Sequence, residues 1–380
     1  MNRSGENIII GLDAKRIVRN GTGLGSYGRT LVNDLAALPL QLHLYAPDEG
    51  RDELRSQLAE RDNVVFHFPK HASTALGKAL WRSRGIVNDL RRDGIQVYHG
   101  LSGELPIGIR KSGIKSIVTI HDLIFLRHPE YYHWLDTKIY ARKFRQTIKE
   151  ADHIVAISEC TKRDIMEYGQ MDGSNISVVY QSCAPKFKEL GVRSEELGVR
   201  SSNRYILSVG SIEERKNILL AVKALHWLPE EVSLVIVGRH TKYTDRITKY
   251  VHDHHLEHRV SLLHGVSNEE LPALYAGAEA FVYPSRYEGF GIPIIEAISC
   301  GLPVVACTGS CLEEAGGPHS LYVSPDDERG MAHAISSVLK GSDGREQRIA
   351  LSRDYVKQFE GNHIAQQMAE LYVRLLKIEN

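Results

Sequence analysis

Residues Phe281–Pro303, FVYPSRYEGFGIPIIEAISCGLP, decide how this chain is read. An apolar run ends in Pro284, a polar turn carries Glu288, and Gly289-Phe290-Gly291 opens a helical segment that holds Glu296. That is strand, loop, helix, with one carboxylate before the helix and one inside it. Seven residues separate Glu288 from Glu296, which at ~1.5 Å rise per residue puts the second carboxylate about two turns into the helix. Gly289 and Gly291 lack a Cβ and let backbone amides approach a ligand. Bare amides at a helix N-terminus attract anions. The stretch therefore predicts an anion held between two carboxylates that can grip hydroxyls.

Outward from that stretch, the 380 residues exceed what one hydrophobic core serves, so two domains are expected. The composition, 42% hydrophobic and 25% charged, is that of an ordinary globular protein. With a net charge of zero the chain gives no global reason to bind nucleic acid. Five scattered cysteines, Cys160, Cys183, Cys300, Cys307 and Cys311, form no disulfide framework and favour a reducing, cytoplasmic setting. Neither a signal sequence nor a membrane span is expected, because no apolar window is long enough.

Strand-like and helical patterns alternate along the whole chain, which predicts an α/β protein with parallel strands and helical crossovers. Strands are expected at Asn7–Leu12, Leu40–Ala46, Val64–Phe68, Gln96–His99, Ser116–Ile120, His153–Ile157 and Ile176–Tyr180, with helices at Ala75–Asp93 and Tyr131–Glu150. His99 and His121 stand at carboxyl ends of strands, where open parallel sheets bind ligands. A second series runs Tyr205–Val209, Ser233–Val237, Val260–Leu263, Ala280–Tyr283, Pro303–Ala306 and Leu321–Val323, with a last helix over Asn362–Lys377. The resulting division is 1–185, a linker at 186–203, 204–360, and a helix at 361–380 packing back towards the first domain. Within the linker, ELGVRS occurs twice, at Glu189–Ser194 and Glu196–Ser201.

Gly23, Gly25 and Gly28 fit G-x-G-x-x-G, but about ten residues separate them from the preceding strand, whereas a dinucleotide fingerprint turns directly out of it. They read instead as a flexible loop at a helix N-terminus, the loop spanning Asp13–Thr22. In SVGSIEERKNI, Arg215 and Lys216 follow a strand and begin the next helix. Cations there oppose the helix dipole, so they serve a bound anion. The histidines His252, His254 and His255 belong to a polar helix and do not form a metal site.

Pro284, Ser285, Glu288, Gly289, Phe290, Gly291, Pro293, Glu296, Ala297, Gly301, Pro303 and Val304 together resemble the signature of the retaining GT-B glycosyltransferases of family 4. The resemblance extends through IHDLIF, AISECT, VGSIEERKN, VIVGR and HGVSNEELPALYAGAEAF, nearly the whole chain. It implies two Rossmann-like domains facing each other across a cleft, and transfer of a sugar from a nucleotide diphosphate donor, GDP-mannose or a UDP-sugar, to a glycan or lipid-linked hydroxyl. By position, Arg215 and Lys216 match the groups that hold the diphosphate, Glu296 the ribose grip, and Glu288 the contact to donor-sugar hydroxyls. Backbone groups of Gly289, Phe290 and Gly291, with Gly23, Gly25, Gly238 and Val266, complete the implied donor site. His121 matches the histidine at the reaction centre, and His99 and Asp122 are placed on the acceptor side. No metal or cofactor is required on this reading, and the alternatives are a non-catalytic nucleotide-sugar binder or an epimerase. Peripheral contact with the inner membrane face would suit the basic helix with Lys138, Arg142, Lys143, Arg145 and Lys149. One departure stands out: Tyr180-Gln181-Ser182-Cys183 replaces the Asn-Gly pair of many relatives, which puts a hinge or acceptor role of that segment in doubt.

Overall fold

A computed structural model describes residues 8–70, 72–184, 186–187, 204–267 and 269–377. They form two compact units, Met1–Ser182 with Phe359–Asn380, and Cys183–Gln358. Apart from Lys186 and Phe187, the predicted linker and its repeat lie outside the described residues.

The first unit is built on seven parallel strands: β1 (Ile8–Asp13), β2 (Leu40–Tyr45), β3 (Val64–His67), β4 (Val97–Gly100), β5 (Lys115–Ile120), β6 (His153–Ala156) and β7 (Ile176–Val178). Their order across the sheet is β3-β2-β1-β4-β5-β6-β7. β1 therefore pairs with both β2 and β4, and the winding direction reverses there. The segment expected as a loop before Thr22 contains a short helix, Lys15–Arg19. The next helix already begins at Gly23. Its glycines serve packing: a Cβ on Gly25 would lie 1.8 Å from the Asn20 carbonyl oxygen, and one on Gly28 2.7 Å from Ile17. Only Gly23 meets open space. The predicted helix over Ala75–Asp93 is helical throughout but is interrupted by a π turn at Trp81–Gly85.

The last helix, Gly361–Lys377, belongs to this first unit. Its buried stripe of Ile364, Ala365, Met368, Leu371, Tyr372 and Leu375 joins the core formed by Leu31, Val32 and Leu35 of helix Gly23–Leu35 and by β1. One polar contact fixes its rotation. The Tyr372 hydroxyl lies 2.8 Å from Nδ1 of His99, and Nε2 of the same ring lies 2.8 Å from the Thr119 hydroxyl.

The second unit repeats the plan with six parallel strands, β8 (Arg204–Val209), β9 (Val232–Val237), β10 (Val260–Leu263), β11 (Ala280–Tyr283), β12 (Val304–Cys307) and β13 (Leu321–Val323). The order β10-β9-β8-β11-β12-β13 again reverses direction after its first strand. Strands buried on both faces of such sheets are nearly continuous apolar runs, as LVIV and FVY are here. Among the described residues no helix is long and apolar enough to cross a membrane.

Replacing Tyr372 by Phe strands one buried ring nitrogen of His99. An unmade hydrogen bond of this kind costs about 1–3 kcal/mol, so urea unfolding of Tyr372→Phe is expected to shift to lower denaturant by that amount with an unchanged slope.

Candidate active site

In the second unit the direction of winding reverses between β8 and β11, and open α/β sheets bind ligands beyond the carboxyl ends of the strands at that point. Of the predicted donor residues Arg215, Lys216 and Glu288 meet there, whereas Gly23 and Gly25 belong to the first unit. β8 ends at Val209, and Gly210 with φ 152° turns the chain out of the sheet. Gly238, at the end of β9, packs against this turn so tightly that a Cβ would lie 2.0 Å from the Gly210 carbonyl oxygen. Arg215 and Lys216 follow in a single 3-10 turn, Glu214–Lys216, and Asn217 in a left-handed conformation starts the helix Ile218–Ala224. The two cations thus precede the helix; they do not open it as the sequence suggested.

From β11 comes the partner. Glu288 is buried, its Oε2 2.7 Å from Nη1 of Arg215 and its Oε1 2.5 Å from Nζ of Lys216. Lys216 also donates to the Tyr283 hydroxyl at 2.7 Å, and Arg215 donates to the Tyr287 carbonyl at 2.8 Å. The Glu288 carbonyl accepts from the Cys311 thiol at 3.1 Å. Burial disfavours the charge on Glu288, but Lys216 and Arg215 outweigh it and hold the carboxyl down at about 2. Lys216 is likewise pushed above the usual lysine range, its own burial being overcome by Glu288. The more exposed Glu213 lies 3.8 Å from Nη2 of Arg215; the two cations held side by side suit an anionic ligand. The Tyr283 hydroxyl donates to Oε1 of Glu288 as well, at 3.3 Å.

Gly291 caps the helix Ile292–Ser299, and a Cβ there would lie 2.8 Å from that of Ala315. The Phe290 ring is buried, so any ligand contact from this residue comes from its backbone. Glu296 is the fifth residue of this helix, one turn in and not two. The Tyr275 hydroxyl donates to its Oε2 at 3.0 Å. Burial pushes the Glu296 carboxyl up to about 7, against the pull of Tyr275 and Lys186. Val266 lies half-buried in the loop after β10.

The first unit places His121 just beyond β5. Its Nε2 lies 2.8 Å from the Leu101 carbonyl and its Nδ1 3.0 Å from the Gln181 side-chain nitrogen. A carbonyl only accepts, so Nε2 carries the proton and Nδ1 accepts from the Gln181 amide. Burial draws its pKa down to about 4, so the ring is neutral near pH 7. With both nitrogens occupied, His121 in this arrangement is no proton acceptor, and the catalytic role expected of it reduces to a fixed neutral ring. Gln181, where the sequence departs from the family pattern, is the residue that orients it; a single sequence contained no signal for this pairing. Asp122 is half-buried and accepts from the Ile124 amide at 3.2 Å. His99 is a correction. It is 0% exposed and spends both nitrogens on Tyr372 and Thr119, so no acceptor reaches it. Burial keeps it neutral, with its pKa drawn down to about 3.

Residues 21–183 match the family model Glycosyltransferase Family 4, and residues 193–354 match Glycosyl transferases group 1. The O-antigen chain mannosyltransferase RfbU of Salmonella typhimurium is 30% identical over 250 residues, 66% of this chain and 67% of that protein. The chain belongs to glycosyltransferase family 4. The O-antigen chain mannosyltransferase B of Escherichia coli is 29% identical over 285 residues, 73% of this chain and 74% of that protein. Among solved structures, HepE of Anabaena in complex with UDP-glucose superposes with a TM-score of 0.73 at 17% identity, over 96% of this chain and 99% of that one. Both units of this glycosyltransferase thus have the GT-B fold's Rossmann-like architecture.

Two expectations follow for the carboxylates. Glu288→Ala leaves two cations facing each other in a buried site, and breaking such a pair costs about 3–5 kcal/mol; urea unfolding reads the loss, and added inorganic diphosphate should stabilise the variant more than the parent. A wild-type midpoint would remove Glu288 as the clamp. Because its folded pKa near 2 lies below a free glutamate's ~4.3, the clamp's contribution is whole above about pH 4.3 and disappears as the pH falls towards 2. Glu296 has the opposite sign. Its folded pKa near 7 exceeds the free value, so the stability it lends by holding a proton is lost as the pH rises through 7. Glu296→Gln should therefore raise stability at pH 8 by about 1–3 kcal/mol and make little difference at pH 4, as thermal melts at the two pH values would show.

Proposed function

We propose that this glycosyltransferase moves a hexose, mannose in the first instance, from a nucleoside diphosphate donor to a saccharide hydroxyl in the building of a surface polysaccharide, with retention of configuration. The observation that carries the reading is the Arg215–Glu288–Lys216 cluster at the β8/β11 reversal. Bond cleavage at the anomeric carbon leaves charge on the departing diphosphate. Arg215 and Lys216, already oriented by Glu288, meet that charge without a metal and without reorganising, the condition under which preorganised cations are most effective. Glu288 is bound to two cations and is a poor nucleophile there, so a covalent glycosyl-enzyme of the paired-carboxylate kind does not fit. The diphosphate oxygen itself can take the proton of the incoming hydroxyl on the face it leaves, which gives retention. Glu296 supplies an acceptor for ribose hydroxyls, and the buried Tyr275 hydroxyl holds it in place.

Mannose is chosen because the two relatives described above are named mannosyltransferases. HepE holds UDP-glucose on the same fold, which supports a nucleotide sugar as donor. The reading places the enzyme's work in the cytoplasm, with peripheral membrane contact. Nothing observed favours a non-catalytic binder or an epimerase.

Lys216→Ala should lower the rate of sugar transfer by about 10²–10³, the cost of losing one preorganised charge contact, while circular dichroism stays as in the parent. Arg215→Lys should not restore an arginine's effect, because a lysine lacks the planar guanidinium whose Nη1 meets both the Tyr287 carbonyl and the Glu288 carboxylate while Nη2 stays available. Thermal shifts with GDP and UDP name the base, and transfer from GDP-mannose is the deciding assay; unchanged turnover in Lys216→Ala would remove the diphosphate site.

A further inference from the structure

Phe187 falls in the stretch that breaks the alternating pattern and reads as a linker, yet its ring is 2% exposed and belongs to the second unit. Two sulfur contacts seat this stretch on the end of the helix Ile292–Ser299. The Cys300 thiol donates to the Phe187 carbonyl at 3.4 Å, and Sγ of Cys183 lies 3.8 Å from the Ser299 hydroxyl. The Phe187 ring meets the Tyr275 ring edge to face, with centroids 5.7 Å apart and planes at 86°.

Among the described residues Tyr275 belongs to a row of four rings, Phe187, Tyr275, Phe281 and Tyr283. It stands on the helix Leu271–Gly277, with its centroid 5.4 Å from that of Phe281, which stacks on Tyr283 at 5.8 Å. Phe281 and Tyr283 are two residues apart on β11 and so share one face of the sheet. The row carries two hydroxyls, and each ends on a carboxylate of the site. Tyr283 donates to Oε1 of Glu288 at 3.3 Å. Tyr275 donates to Oε2 of Glu296 at 3.0 Å, the nearer of two acceptors, since the Pro293 carbonyl is 3.5 Å away. All four rings are buried, so none moves without displacing a neighbour. Lys216 covers the Tyr283 end, its Nζ 5.0 Å from that ring's centroid. At the other end the row closes on Phe187, which comes from the stretch joining the two sheets.

We propose that Phe187 is a positioning residue for donor binding: by fixing the Tyr275 ring it aims the Tyr275 hydroxyl, and with it the Glu296 carboxylate, at the hydroxyls of the donor's ribose. The inference rests on the reading of Glu296 as the ribose grip. Phe187 is buried and meets no ligand itself; it acts through Tyr275. Edge-to-face pairs hold their geometry because the edge and the face of a ring carry opposite partial charge. Shortening Phe187 to a methyl group leaves a cavity that the surroundings refill only in part. Tyr275 then has room to turn its hydroxyl away from Glu296, and hydrogen bonds weaken steeply once distance and angle are lost.

Isothermal titration of the full chain with GDP, UDP and the 2′,3′-dideoxy form of each reads the ribose contact. The parent should bind a ribonucleotide about tenfold or more tighter than its dideoxy form, the ratio expected for a hydroxyl bonded to a carboxylate. Phe187→Ala should bring that ratio to about twofold or less while the dideoxy affinity stays as in the parent. General loosening of the unit would weaken both forms alike. Tyr275→Phe should act in the same way, and the double variant should lose no more than Tyr275→Phe alone, because the two residues act in series. If Phe187→Ala does not fold, Phe187→Leu, which keeps most of the volume without a ring edge, is read in its place. A parental ratio in the Phe187 variant, equal weakening of both forms, or additive losses in the double variant overturns the proposal. A parent chain that binds no nucleotide, or binds both forms alike, removes Glu296 as the ribose grip and the proposal with it, and that failure is seen in the parent before any variant is made.

Discussion

Charge compensation at Glu288 is the constraint on which the second unit's site depends. Two cations cannot be held side by side at the edge of a sheet unless an anion is held there too, because each would otherwise lose its hydration uncompensated. Glu288 supplies that anion, and its own position is secured by the Cys311 thiol and the Tyr283 hydroxyl. The result is a cluster that keeps its geometry before a ligand arrives. A carboxylate in this setting is a clamp.

Glu296, eight residues on, accepts from the Tyr275 hydroxyl and responds to burial in the opposite way, its proton held until about pH 7. The contrast shows why two carboxylates in one motif need not share a task. Their environments separate them: one lies between Arg215 and Lys216, the other against a tyrosine hydroxyl on an apolar helix. Close backbone approach is the other shared device. Gly210 against Gly238 and Gly291 against Ala315 bring chain segments nearer than any side chain would permit, and so let the loops after the strands converge.

Much of this was legible in the chain. The strands Val260–Leu263, Ala280–Tyr283 and Leu321–Val323 fall where the apolar runs place them, since a strand buried on both faces needs little but a short continuous run and a stop signal. The stripe of Ile364, Met368, Leu371 and Leu375 announced a buried helix face for the same kind of reason. What misled was anything whose meaning depends on a distant partner. Gly25 and Gly28 looked like a mobile loop, and only the carbonyl of Asn20 and the side chain of Ile17 show them to be packing glycines. His99 looked like a ligand at a strand end, and only the last helix reveals why it is core. Gln181 carried no signal, because its importance consists of one bond to a ring 60 residues away.

The sequence by itself determined the two alternating βα series, the family, and which residue types would meet a diphosphate, because periodicity and motif spacing are local properties of the chain. The tertiary structure alone decided how the charges pair: that Glu288 neutralises part of Arg215 and Lys216, and that His121 is a neutral ring with both nitrogens in use. The physical reason is that an ionisable group's behaviour depends on burial and on neighbours within a few ångströms, and in a parallel sheet wound by crossovers those neighbours come from strands far apart in the chain.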